Sequence, residues 1–549
     1  MRNFFILGCL LVCFCVGSGK AQSLPRYLVY FKDKANTPFT IQNPEAYLSA
    51  RAIARRQRHG VAITPADFPV NPTYIQAIGQ TGAKVLYTTR WLNGALVEAS
   101  DAQLTAIRNL PFFKGIERNL PLAPATTAGI ARLGAVNEKF GTQETVDHGR
   151  MRDQLAMLGV PELNDNGFQG QGIIIAVLDA GFSRANELVY LKPLFDSKRI
   201  LDTYDFISRN TNVYDDHFHG LNCLSTIAAN QPGVMVGAAP EASFVLYRTE
   251  NEYSETPYEE ATWILAAERA DSLGADIISC SLGYNLFDDP AYDYTRAQMD
   301  GKTALVTRGA RHVARTGMLL VNSAGNEGNN AWRYITAPAD ADSILAVGAV
   351  FSNRTYAPFS SVGPTADGRI KPDVAAQGAG TVIGNDLGTG GVSTGNGTSF
   401  SAPLIAGLAA DLWQAHPNLT AQQLREVLVK SGHQAANPDS LLGYGVPVVQ
   451  RAQEIILQDY SPLATEPTPL TTAVLYPNPA QDAVYIRFGS QVPSSTEVQI
   501  ISNSGIALTR RIPVTRMDVG ISVAAFTPGL YFVKISTPQS VRVLKFIKR

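Results

Sequence analysis

The chain has 549 residues, too many for one hydrophobic core, so about three to four domains are expected. Hydrophobic residues make up 45% and charged residues 17%, a globular balance that excludes bulk disorder. With 46 Lys and Arg against 47 Asp and Glu, the formal net charge is −1, and no basic face marks a nucleic-acid partner.

Arg2, the apolar run Phe4 to Val16 and the small residues up to Ala21 read as a signal peptide over residues 1–21. That run is shorter than the roughly 20 residues that span a bilayer, and no later segment has that length and apolarity. Cys9, Cys13 and Cys15 belong to this leader. The remaining two cysteines, Cys223 and Cys280, make no disulfide scaffold, and their pairing stays open.

Residues 22–122 read as a small α+β unit. Strand patterns lie at Tyr27 to Phe31, Ala83 to Thr88 and Gly94 to Glu98, with helix patterns at Pro44 to Arg58, from Tyr74, and at Asp101 to Leu110. Residues 123–147 lose periodicity, as an exposed linker with a processing site would. From 148 to 458, β-branched runs (Ile173 to Leu178, Phe244 to Tyr247, Ile277 to Ser279, Met318 to Val321, Ile344 to Val350) alternate with helical stretches (Tyr258 to Leu273, Gly309 to Thr316, Ser401 to Ala415). Runs without polar alternation suit strands covered on both faces, so an α/β fold with a mostly parallel sheet between helices is expected. Residues 459–473 are a Pro- and Thr-rich linker. Residues 474–549 carry strand patterns, among them Gly505 to Arg511, and suggest a small β-sandwich.

In a parallel sheet, polar residues at the C-terminal strand ends face the crevice where ligands bind. Asp179 follows Ile173 to Leu178 there, suited to orienting an imidazole. His219 opens a buried helical run, with His217 as a competitor whose His-x-His spacing has no third metal ligand. Ser399, in Asn396-Gly397-Thr398-Ser399-Phe400-Ser401-Ala402-Pro403, stands at the positive end of a long helix, where its N–H can face a developing oxyanion. Asn326, in Asn322-Ser323-Ala324-Gly325-Asn326-Glu327-Gly328, offers a second donor. Taken singly, each has a plainer reading: a turn Asp, a surface His, an N-capping Ser, a glycine-rich turn.

Together these segments resemble the subtilisin-like serine proteases, whose chain order is Asp, His, Ser. Ala176 to Gly181, His219-Gly220, Asn322 to Gly328 and Gly397 to Pro403 carry the likeness, with Val236 to Pro240, Ser281 to Gly283 and Ala346 to Val350 beside them. The resemblance implies that Ser399 is the nucleophile, His219 the base, Asp179 its orienter and Asn326 an oxyanion donor. It implies that Ser281, Leu282 and Gly283 pair with extended substrate. The unit 22–122 resembles the inhibitory propeptide of these enzymes. Tyr476 to Ala480, Gly529 to Val533 and the basic end Lys545 to Arg549 resemble the sorting domain of type IX (Por) secretion in Bacteroidetes.

The expectation is therefore a secreted or cell-surface serine endopeptidase, made as a zymogen, with protein substrates and the type IX machinery as partners. The alternative is a catalytically silent binding protein on the same scaffold. No cofactor is required. Asp288, Asp289, Asp293 and Asp300 offer carboxylates to a structural calcium, but their spacing matches no defined ligand pattern, so a solvated acidic loop is expected. Leu221 stands where the family usually has Thr. Cys223 lies one helical turn after His219, as in thiol-containing members.

Overall fold

A computed structural model describes residues 24–123, 146–460, 473–489, 492, 495–502, 507–537 and 541–549. The expected signal peptide, the linker residues 124–145 and 461–472, and part of Gly505 to Arg511 lie outside the described residues.

The N-terminal unit is an antiparallel sheet of order β2-β3-β1-β4, with β1 Arg26–Phe31, β2 Lys84–Thr89, β3 Gly94–Glu98 and β4 Phe113–Ile116. Its helices start where capping residues satisfy the first N–H groups: Ser49 before α1 (Ala50–Arg58), Asn71 before α2 (Pro72–Gln80), and a Ser100/Gln103 capping box before α3 (Asp101–Arg108). Helix α1 is shorter than the expected Pro44 to Arg58 because Ser49 restarts the backbone. The period-2 alternation of β1 splits its side chains. Tyr27, Val29 and Phe31 enter the unit's own core, while Leu28 joins the core of the next unit.

The central unit holds a seven-stranded parallel sheet. In chain order its strands are β5 Ile174–Asp179, β6 Ile200–Asp205, β7 Ser243–Arg248, β8 Ile277–Cys280, β9 Leu319–Ser323, β10 Leu345–Val350 and β11 Val374–Gln377, in spatial order β11-β10-β9-β8-β5-β7-β6. Strand β5 shows why the sequence runs are apolar without alternation. Ile175 and Val177 enter one core and Ile174, Ala176 and Leu178 the other, so both faces are dry. Two edge strands, β6 and β11, escape the sequence reading. β6 is half-buried and mixed in polarity, and β11 is only four residues long.

Helix α4 (His219–Ala228) and the long helix α7 (Thr398–Ala415) cover one face; α5 (Pro257–Leu273) and α6 (Leu305–Arg315) cover the other. A hairpin, β12 Thr381–Asn385 with β13 Gly391–Gly395, precedes α7. The N-terminal sheet docks on α5, with Leu28, Trp91, Leu96 and Leu122 packed against Tyr258, Ala261, Ile264 and Leu265.

The C-terminal unit is all β, in sheets of three and four strands around Val484, Ile486, Val498, Ile500, Val533, Ile535 and Phe546. The expected strand Gly505 to Arg511 is not formed among the described residues. Ala507 makes one isolated bridge to Ile501, and the strands instead are Ile512–Pro513 and Asp518–Ser522. No described helix is long and apolar enough to cross a membrane.

Candidate active site

Asp179 is the last residue of β5 rather than the first beyond it, pairing in register with Arg248 of β7. Its side chain is fully buried, and Oδ1 accepts the Ala180 N–H at 2.8 Å. His219 is the first residue of α4, and its Nδ1 lies 2.6 Å from Asp179 Oδ1. A carboxylate only accepts, so Nδ1 carries a proton, and in the neutral ring Nε2 keeps its lone pair. Burial by itself would lower the imidazole pKa. The Asp179 carboxylate and the Cys223 thiol outweigh burial and hold it well above the ordinary 6.5.

The two loops meet backbone to backbone. A Cβ on Gly220 would stand 2.7 Å from Asp179 Cβ, and one on Gly181 would stand 2.6 Å from the His217 nitrogen. Arg248, 3% exposed, ties them together. Its guanidinium donates to Ala180 O at 3.1 Å and Asp205 Oδ2 at 3.0 Å, and pairs with Asp216 Oδ2 at 2.5 Å. Sequence reasoning missed Arg248, since a charge closing an apolar run reads as a strand boundary. His217 does not join the pair: its Nδ1 accepts the His219 N–H at 3.4 Å and its Nε2 lies 3.2 Å from Glu252.

Ser399 is the second residue of α7, which begins after Gly397. Pro403 stands inside that helix and has no N–H to give to the Ser399 carbonyl four residues back. That carbonyl instead accepts from Ser281 Oγ at 2.8 Å and from Cys223 Sγ at 3.3 Å. The Ser399 hydroxyl points to Ser281 O at 3.4 Å. Cys223 Sγ lies 4.0 Å from His219 Nδ1, and the rings of His219 and Phe400 are 6.1 Å apart, so the imidazole lies beside the start of the helix that carries Ser399. Cys223 and Cys280 are both free, buried thiols, which closes the pairing question.

Asn326 is oriented by its own carbonyl, which accepts the Thr398 N–H at 2.9 Å and Oγ1 at 3.0 Å. Its Nδ2 is thereby turned to the space beside Gly397. A Cβ there would be 3.7 Å from Asn326 Nδ2 and 3.6 Å from Ser399 N, so two donors flank one spot that the glycine leaves open. Ser281, Leu282 and Gly283 follow the end of β8, outside any assigned strand. Leu282 O accepts from Asn322 Nδ2 at 3.0 Å.

The four aspartates considered for calcium each accept a backbone N–H, Asp288 from a separate segment and the other three from within their own loops. Asp288 accepts from Glu255 N, Asp289 from Ala291 N, Asp293 from Phe287 N, and Asp300 from Lys302 N and Thr303 N. Among the described residues, the one group of three ligand-type atoms within 4.8 Å is Asp179, His219 and Cys223.

Residues 170–445 match the Subtilase family. The chain belongs to that family. The subtilase unit is flanked by a match to the Peptidase S8 propeptide domain of Bacteroidota over residues 26–131 and to the Secretion system C-terminal sorting domain over residues 474–549. It is 30% identical to Subtilisin NAT of Bacillus subtilis subsp. natto over 305 residues, which are 55% of this chain and 70% of that protein. It is 28% identical to Serine protease AprX of Bacillus subtilis (strain 168) over 297 residues, 48% of this chain and 62% of AprX. Among solved structures, MycP3 protease from the type VII (ESX-3) secretion system overlaps 58% of this subtilase and 90% of its own chain, with 22% identity and a TM-score of 0.45. The sorting domain assigns the subtilase to type IX export, to the cell surface or beyond it.

Proposed function

We propose that the protein is a secreted serine endopeptidase that hydrolyses peptide bonds through an acyl-enzyme, with Asp179, His219, Ser399 and Asn326 as its catalytic residues. The observation that carries this reading is the 2.6 Å pair of buried Asp179 and partly exposed His219, together with the two donors that flank the open spot at Gly397.

Ser399 Oγ adds to the substrate carbonyl carbon while its proton passes to His219 Nε2. The Asp179 carboxylate favours the imidazolium that forms, the same effect that raises the resting pKa. The carbonyl oxygen, now negative, falls beside Gly397 between the Ser399 N–H and Asn326 Nδ2. Collapse expels the amine, which takes the proton from His219, and water then repeats the sequence on the ester. In the resting structure the hydroxyl donates to Ser281 O, so it must leave that partner to reach the imidazole. Catalytic hydrogen bonds are often loose before substrate arrives.

Residues 22–122 act as a zymogen's inhibitory segment, 123–147 contain the processing site, 148–458 form the catalytic unit, and 474–549 direct export. Ser281, Leu282 and Gly283 line the substrate path, and no metal or cofactor enters the chemistry.

The test is reaction of the processed protein with a fluorophosphonate probe, compared with Ser399→Ala. Labelling of the unsubstituted protein alone, together with casein cleavage, supports the reading. Absence of both in a folded, processed sample leaves the silent scaffold as the better account.

A further inference from the structure

The loop after Gly283 builds an aromatic corner against α5 and α6. Phe287 and Tyr294 meet edge to face, with ring centroids 5.8 Å apart and planes at 64°. The bonds that order them come from the catalytic unit. Asp293 Oδ1 accepts the Phe287 N–H at 2.8 Å, and Asn285 O accepts the Tyr294 N–H at 2.8 Å. The Tyr294 hydroxyl donates to Glu260 Oε1 at 2.8 Å and accepts the Leu305 N–H at 3.0 Å. Phe287, Tyr292 and Tyr294 also share the core that these two helices cover. The corner is therefore set before anything fills it.

A cation from the N-terminal unit fills it. The guanidinium carbon of Arg118 lies 4.4 Å from the centre of the Tyr294 ring and 6.0 Å from that of Phe287. Its Nη1 donates to Tyr292 O at 2.6 Å, while Nη2 has no hydrogen-bond partner among the described residues, so stacking does most of the holding. Burial pushes Glu260, behind Tyr294, up to about 7, and the charge of Arg118 is among the effects that oppose this rise. Arg118 reaches the corner on a left-handed backbone, φ 51°, which few residues other than glycine adopt. The Tyr292 hydroxyl, 2.5 Å from Pro121 O, closes the contact. Removal of residues 22–122 takes Arg118 away and leaves the corner standing, its rings uncovered and a carboxyl group behind them.

We propose that Phe287, Tyr292 and Tyr294 form a guanidinium-binding exosite of the processed enzyme, filled by Arg118 in the precursor and afterwards by an arginine side chain of a protein substrate. The inference rests on the peptidase reading above and adds a preference for arginine-bearing proteins. Phe287 lies four residues beyond Gly283, at most about 14 Å of chain from the segment proposed to pair with extended substrate. A protein bound along that segment therefore brings its flanking residues within reach of the corner. A planar guanidinium can lie on a ring and still bond the Tyr292 carbonyl through an edge N–H, which an ammonium does less well. Citrulline, with the same shape and no charge, loses the attraction to the ring face.

The experiment uses the full chain, expressed and allowed to process, with loss of residues 22–122 confirmed by mass spectrometry and Ser399 capped by a fluorophosphonate. Calorimetric titration with N-acetyl-arginine methylamide and its lysine and citrulline counterparts reads the site. Expected is binding of the arginine compound roughly 3-fold or more tighter than either counterpart, lost in Tyr294→Leu and weakened in Phe287→Leu. The Ser399→Ala precursor, which cannot cleave itself and keeps Arg118 in place, should not bind it. In uncapped enzyme, the ratio of kcat/KM on casein to that on citrullinated casein should exceed one and should fall roughly 3-fold or more in Phe287→Leu. That variant also carries the test if Tyr294→Leu fails to fold, and a taste for cleaving after arginine would raise the ratio in both forms alike. A labelled, processed enzyme that binds citrulline or lysine as well as arginine overturns the inference alone, as does binding that survives both substitutions. An uncleaved chain that takes no label overturns the peptidase reading itself.

Discussion

Pro403 withholds its helical hydrogen bond from the carbonyl of Ser399, and Ser281 Oγ takes that carbonyl at 2.8 Å. The proline thus frees the main chain of Ser399 to be fixed from outside its own helix, by the segment proposed to line the substrate path. Ser281→Ala leaves this buried carbonyl to the weak Cys223 thiol. Stability should fall by about 1–3 kcal/mol, with a drop in turnover. Denaturant unfolding and initial rates on casein measure both, and unchanged values would show that the thiol suffices.

The two donors beside Gly397 make a second expectation. Asn326→Ala should lower kcat about 100- to 1000-fold with little change in KM, because the amide is needed only once the carbonyl oxygen is negative. Gly397→Ala should do likewise by placing a methyl in that spot. Steady-state kinetics on one anilide separates kcat from KM. A pure KM effect would falsify the oxyanion role.

The pH profile follows from the raised His219 pKa. The imidazolium persists to higher pH than a free histidine, and only the neutral ring accepts the Ser399 proton. Activity (kcat/KM) should therefore rise with pH through a midpoint above 6.5. The stability that the pair contributes is full below 6.5 and is lost as pH rises through the folded value. Asp179→Asn should move the midpoint down and reduce kcat sharply.

Arg248 touches no reacting atom, yet it holds the loop after Asp179 to the loop before His219. Arg248→Met should leave KM nearly unchanged while lowering kcat and shifting the acid limb of the profile towards that of free histidine. A variant that loses only thermal stability, with the profile intact, would mark Arg248 as a scaffold residue.

The N-terminal unit is gripped by charge. Buried Asp271 binds Arg55, Arg56 at 2.7 Å and Arg90, all from that unit. Burial would raise its carboxyl, but the three guanidinium groups hold it below 3.8. Asp271→Ala strands those cations and should weaken docking by about 3–5 kcal/mol. Acid should weaken it too. His59 stacks on Trp413 and His312 on Trp91 across the same boundary, and burial lowers both to about 4. Arg58 and Arg55 face His59, opposed by Asp276. Arg315, Lys34 and Arg311 face His312, opposed by Asp67. Docking should be undiminished above pH 6.5 and lost progressively from 6.5 towards 4. Gel filtration of the cleaved precursor across that range shows whether the two pieces separate.

Local pattern was enough for much of this molecule. Dry strands read as apolar runs because both faces of β5 are covered, and the segments around Asp179, His219, Asn326 and Ser399 stand out because glycines and strand ends leave local marks. Where burial is mixed or an element is short, as in β6 and β11, pattern and structure part company. Distances between segments far apart in the chain carry no such mark. Only the tertiary structure put Arg248 between two loops, aimed the Asn326 amide through Thr398, gave the Ser399 carbonyl to Ser281, and laid Arg118 over Tyr294. A residue's own neighbours encode its backbone. Its partners are decided by how the sheet brings strand ends together.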